Sequence, residues 1–143
     1  PGLLALDPAL RTALGAARVK FEETIELYRQ APAEQDLDAD YERLAYFYRA
    51  DCAFELGKFG DAVELYDAAA RRYGDDPSTL AAYIKMSSAL TALGRSGEAE
   101  LANERARWLL KRLGPEALSE GRVPLSEDYW ERWLIAAGDG GAD

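Results

Sequence analysis

The sequence predicts an all-α chain, and three observations predict it. Apolar residues recur at steps of three or four over long stretches, helix-starting and helix-stopping residues bracket those stretches, and part of the pattern returns. Tyr46 recurs as Tyr83, Gly57 as Gly94, Asp61-Ala62 as Glu98-Ala99 and Ala69 as Ala106, each pair 37 positions apart. A period of that size, built from a helix pair with a glycine turn and small residues at fixed points, is the pattern of a short α-solenoid. Helices are expected near 8–30, 40–56, 60–73, 77–93, 96–113 and 126–137, with no strand.

Asp7-Pro8 reads as an N-cap followed by proline at the first helical position, where the missing N–H costs nothing. Leu10, Leu14, Ala17, Phe21, Thr24 and Tyr28 then give one apolar stripe. The end of this helix, Glu23-Thr-Ile-Glu-Leu-Tyr28, matches Asp61-Ala-Val-Glu-Leu-Tyr66, so residues 8–31 read as a degenerate half-repeat. Pro32 ends it, and Asp38 or Asp40 is expected to cap the next helix. Small residues Ala50 and Ala53 would let the following helix approach closely through Ala62, Tyr66 and Ala69. Gly57, Gly74 and Gly94 are expected as positive-φ helix stops, Asp76-Pro77 as a helix start, and Ser96 as the opening of the helix to Leu113. Beyond Gly114-Pro115, a last helix over 126–137 carries Tyr129, Trp130, Trp133 and Leu134. It is expected to cap the array near Trp108, Leu109 and Leu113. Residues 138–143 read as a frayed tail.

The 143 residues suit one domain, 1–137, with a core of its own. No apolar run approaches the ~20 residues that span a bilayer. The chain opens on Pro1 rather than Met and reads as a fragment of a larger protein. The net charge of −9 is unevenly placed. Residues 34–67 hold ten acids against three bases and residues 116–143 seven against two, while residues 95–115 reverse the sign with five bases and three acids. Nucleic acid and anionic membrane are disfavoured as partners, because both need clustered Lys and Arg.

Chemistry has little material. Without histidine, neither a Ser-His nor a Cys-His nucleophile pair can be assembled and the commonest zinc ligand is missing. Asp36, Asp38 and Asp40 resemble the start of a calcium loop, but the places that need Gly and Glu hold Tyr41 and Phe47. Gly57-Lys58-Phe59-Gly60 follows a helix rather than a strand, so it does not match a phosphate-binding loop. Cys52, the lone cysteine, sits among small and apolar neighbours and reads as packing. Asp51 and Glu55 share a helix face and read as a solvated pair rather than an acid and base. No catalytic residue, metal or cofactor is expected.

Residues 41–113 resemble two tetratricopeptide repeats, about 41–77 and 78–114, on the strength of Tyr46, Ala50, Ala53, Gly57, Phe59, Ala62, Tyr66 and Ala69, then Tyr83, Ser87, Leu90, Gly94, Ala99 and Ala106. The Arg-Arg-Tyr-Gly-Asp-Asp-Pro extension is similar to repeats of bacterial envelope proteins of the Tol-Pal coordinator and outer-membrane assembly type, which would place the parent protein in a bacterial envelope or cytoplasm. Arg49 stands where the family has leucine, and Asn103 where an aromatic is usual. The resemblance implies a non-enzymatic scaffold that holds a protein or peptide in a concave face. On this chain the matching face is Phe47, Tyr48, Asp51, Phe54 and Glu55 from one repeat with Ile84, Lys85, Ser88 and Thr91 from the next. An aromatic and acidic face suits a ligand with apolar anchors and positive charge. The alternative reading is a self-associating domain of a larger envelope protein.

Overall fold

The computed structural model describes residues 6–32 and 36–114. Among them are five helices and no strand: α1 (Pro8–Gln30), α2 (Asp36–Glu55), α3 (Phe59–Arg72), α4 (Pro77–Ala92) and α5 (Ser96–Leu113). The chain is all-α as expected. Each helix packs on its successor in the sequence, and α2 also touches α4 lightly. None of these helices is long and apolar enough to cross a membrane. The expected helix over 126–137, with its capping role, and the tail 138–143 lie outside the described residues.

Local chemistry sets most boundaries. Asp7 accepts the Ala9 N–H at 3.1 Å and Asp76 the Ser78 N–H at 2.8 Å, each followed by proline at the first helical position. Helices α2 and α4 end in the same way. Gly57 and Gly94 both stand at φ 74°, and the next residue's N–H reaches back five places, Lys58 to the Ala53 carbonyl and Arg95 to Leu90, at 2.9 Å each. The 37-residue spacing seen in the sequence is thus also a spacing of backbone geometry.

Three expectations need correction. Gly74 is not at positive φ. Helix α3 stops at Arg72, and the turn closes on the Tyr73 carbonyl, which accepts the Asp76 N–H at 3.0 Å and the Thr79 hydroxyl at 2.6 Å, so no left-handed residue is required. Asp38 and Asp40 do not cap α2, which begins at Asp36 and holds both inside its opening turns, where negative charge favours the helix dipole. There Asp38 accepts from the Tyr28 hydroxyl at 3.3 Å and Asp40 pairs with Arg43 at 3.7 Å. The apolar stripe of α1 is half-buried from Leu14 to Tyr28, while Leu10 is 47% exposed, and the residue of this helix that is fully buried is Ile25, beside the stripe. The cause is length and direction. Tyr28 meets Asp38, Phe21 stacks on Tyr48 and Arg18 bonds Asp61 at 3.0 Å, so α1 runs antiparallel to α2 and its first turns extend past the α2–α3 turn.

The core divides into two clusters. One joins all five helices through Ile25, Tyr46, Phe47, Tyr66, Met86, Leu90 and Ala102, together with the alanines that let backbones approach: Ala50, Ala53, Ala62 and Ala69 have no exposed surface. The other seals α4 to α5 through Leu80, Ile84, Ala106 and Leu109, and Tyr83 borders both. Cys52 is buried, and burial pushes its thiol pKa up. Arg49 lays its guanidinium 4.9 Å from the centre of the Tyr46 ring, and Arg72 approaches the same ring at 5.1 Å.

Two glycines test this account of the helices. Gly94→Ala meets no neighbour within 4 Å, so its cost is the left-handed backbone alone, about 1–2 kcal/mol. Gly15→Ala, inside α1 and equally unobstructed, is expected to stabilise by about 0.5–1 kcal/mol. Thermal unfolding should move in opposite directions for the two variants, and a shift of the same sign would contradict the assigned cap.

Candidate functional site

Helices α2 and α4 face each other across a groove of about 300 Å³. Arg43 meets Ser78 at its one end and Asp51 meets Lys85 at the other, so the two helices run in the same direction along it. Each wall uses the spacing that puts residues on one helical face. From α2 come Arg43, Leu44, Phe47, Tyr48 and Asp51, and from α4 come Ser78, Ala81, Ala82 and Lys85, with Tyr66 of α3 contributing as well. Two wall positions are repeat equivalents, since Leu44 and Ala81, and Tyr48 and Lys85, lie 37 residues apart.

Polar ties close both ends. Arg43 donates to the Ser78 hydroxyl at 3.3 Å and pairs with Asp76 at 3.5 Å, which holds α2 to the start of α4. At the other end Asp51 Oδ1 accepts from Lys85 Nζ at 2.8 Å and from the Tyr66 hydroxyl. Seven residues separate Ser78 from Lys85, so at 1.5 Å per residue the ties stand roughly 10 Å apart. Between them the groove is apolar, with aromatic Phe47 and Tyr48 across from Ala81 and Ala82.

Of the residues expected on this face, the structure brings four together: Phe47, Tyr48, Asp51 and Lys85. The other five stand elsewhere. Phe54 turns to the core and packs edge-on against Phe59 and Tyr66, with ring centres 5.6 and 6.5 Å apart. Ile84 is 2% exposed within the α4–α5 cluster, because the face it shares with Leu80 is what α5 covers. Ser88 and Thr91 are exposed but bond back to the carbonyls of Ile84 and Ser87, and Glu55 is exposed beyond the end of the groove. Arg43, Leu44, Ser78, Ala81 and Ala82 were missed. Their signal was available, since Leu44 precedes Tyr48 by one turn and Ala81 and Ala82 precede Lys85 by one turn.

The electrostatics also differ from the expected negative face. Asp51 is neutralised by Lys85, and both side chains are only about a quarter exposed, at 29% and 25%. Replacing Asp51 by lysine would set two ammonium groups together and disturb the fold before it reported on any ligand. Tyr66 is 1% exposed, and its pKa is pushed far above the ordinary phenol value, first by burial and then by the Asp51 charge.

That shift carries a pH signature. In the unfolded chain Tyr66 ionises near pH 10, whereas in the folded chain it keeps its proton well above that. The stabilisation is complete below pH 10 and declines as pH rises past it, at up to about 1.4 kcal/mol per unit. Tyr66→Phe should therefore flatten the alkaline loss of stability measured by urea unfolding between pH 9 and 11. An unchanged slope would show that the hydroxyl is not held as described. The chain matches no family model, no curated protein and no solved structure, so its function is read from its own residues.

Proposed function

We propose that this chain is a non-enzymatic scaffold module of tetratricopeptide type, a short solenoid that binds a protein or peptide in the groove between α2 and α4. The observation that carries the reading is the groove itself: an apolar slot between two parallel, repeat-equivalent helices, closed at each end by a polar tie. The serial packing of α1 to α5 and the matched caps at Gly57 and Gly94 support the repeat architecture.

The chemistry of the slot sets the ligand's requirements. Aromatic and small aliphatic walls favour one or two bulky apolar side chains, which gain from leaving water, while peptide N–H and C=O groups can bond to the polar ends. A positive charge on the ligand finds Glu55 beyond the groove rather than Asp51, which already holds two donors. The self-association alternative has less support on α1, because the exposed Leu10, Val19 and Leu27 lie at widely different angles around the helix and form no stripe.

Selection from a random peptide library followed by titration calorimetry tests the proposal. Binders should carry an aromatic or leucine anchor. Their affinity should fall about 5–10-fold with Tyr48→Ala or Leu44→Ala, corresponding to roughly 1–1.4 kcal/mol for one anchoring contact, and stay unchanged with Lys20→Ala on α1. Binders indifferent to both groove substitutions would overturn the assignment of the site.

A further inference from the structure

A second groove, of about 240 Å³, lies between α3 and α5. Its floor is apolar, because α4 turns Met86 and Leu90 toward it, at 5% and 3% exposure, while Ala81, Ala82 and Lys85 line the other groove. The two sites are therefore separate. Arg112 in the last turn of α5 bonds Asp75 just past α3, so α3 and α5 run the same way and their first turns share one end of the groove. At that end both walls carry a carboxylate, Glu64 on α3 and Glu98 on α5. No hydrogen bond or ion pair joins the two helices among the described residues.

The seam one helix earlier shows what two such walls can hold. There Arg18 donates to Glu22 of its own helix at 3.2 Å and to Asp61 of α3 at 3.0 Å, so one guanidinium bridges α1 and α3. Glu98 stands 37 residues after Asp61 but receives no such base, because Arg71 and Arg72 of α3 sit in its last turn and pair with Asp67 and Glu42. Glu98 pairs instead with Arg95, three residues back, an exposed contact that yields readily. Glu64 is exposed and has no base within salt-bridge distance among the described residues. Arg105, the base on the groove walls, stands seven residues beyond Glu98 and so roughly 10 Å away along the helix. Positive charge is missing at one end only. The volume is also smaller than the roughly 300–1,000 Å³ of sites that enclose a free small molecule, and it suits side chains presented by a protein.

We propose that the α3–α5 groove binds a basic segment of a partner protein, through an arginine or lysine whose aliphatic stem lies over Met86 and Leu101 and whose cationic head bridges Glu64 and Glu98. A long basic side chain satisfies both parts of the site, since its methylenes cover the apolar floor while its head stays at the charged rim. An apolar neighbour in the partner fills the remaining floor at Leu90 and Ala102. Arg105 repels a second cation at the far end, so one base beside an apolar residue is selected over a run of bases.

Met86 is the sole methionine of the chain, so its labelled methyl gives one NMR signal from the groove floor. Titrating the intact chain with a synthetic peptide centred on Leu-Arg-Leu should shift that signal, and a twin with glutamine in place of the arginine should bind about 3–10-fold more weakly. Glu64→Lys should weaken the arginine peptide by at least as much, with the melting temperature unchanged because Glu64 is exposed. The same variant should bind peptides of the α2–α4 groove as before, which separates the two sites. A methyl signal indifferent to the peptide, equal binding of the twin, or a response that survives Glu64→Lys would each overturn the assignment.

Discussion

One carboxylate holds the centre of this fold. Asp51 extends from α2, accepts the Tyr66 hydroxyl from α3 and accepts Lys85 from α4, so three helices meet on a single oxygen. Alanine packing alone would let these helices slide, because Ala50, Ala53, Ala62 and Ala69 present nearly featureless surfaces. A buried phenol bonded to Asp51 permits one register, since any shift would leave a polar group dry and unpaired. The Lys85 contact then fixes how far α4 stands from α2. The width of the groove is therefore a consequence of the same contact that orders the helices.

The sequence made the helices and most of their ends legible, because those depend on neighbours within a few positions. Asp7, Gly57, Asp76 and Gly94 each act through a local bond or a local dihedral, and each stands as expected. Gly74 misled for the same reason in reverse: a glycine after a helix suggests a left-handed stop, but Thr79, five residues on, supplies the bond that closes the turn. Asp38 and Asp40 looked like caps, yet both lie inside the helix, where they meet Tyr28 and Arg43. Those partners lie on other turns or other helices, where periodicity has nothing to report.

The groove was legible by halves. Phe47, Tyr48, Asp51 and Lys85 come from the resemblance to tetratricopeptide repeats, which assigns a ligand face to the first helix of each pair. Phe54 and Ile84 were misplaced because a helix in an array has two apolar sides, one toward its own hairpin partner and one toward the neighbouring unit. Sequence periodicity counts both as one broad face. Charge was harder still. Asp51 and Glu55 look alike on a helical wheel, but one is held by a lysine from another helix and the other faces solvent.

The two stretches related by 37 positions match in backbone at Gly57 and Gly94 and are unequal in chemistry, and this inequality locates the groove. Position for position, Asp51 corresponds to Ser88 and Tyr66 to Asn103. The pair that ties α2 to α3 is therefore absent between α4 and α5, which are joined instead by Leu80, Ile84, Ala106 and Leu109. A purely apolar seam needs no particular register and leaves no polar group aimed at a neighbour. The first unit builds a tie that reaches beyond its own hairpin to the next, through Lys85, and there α2 and α4 stand apart with a slot between them. Helices α2 and α4 supply the walls, and the unequal side chains of Asp51 with Lys85 and of Arg43 with Ser78 tie the two ends of the groove.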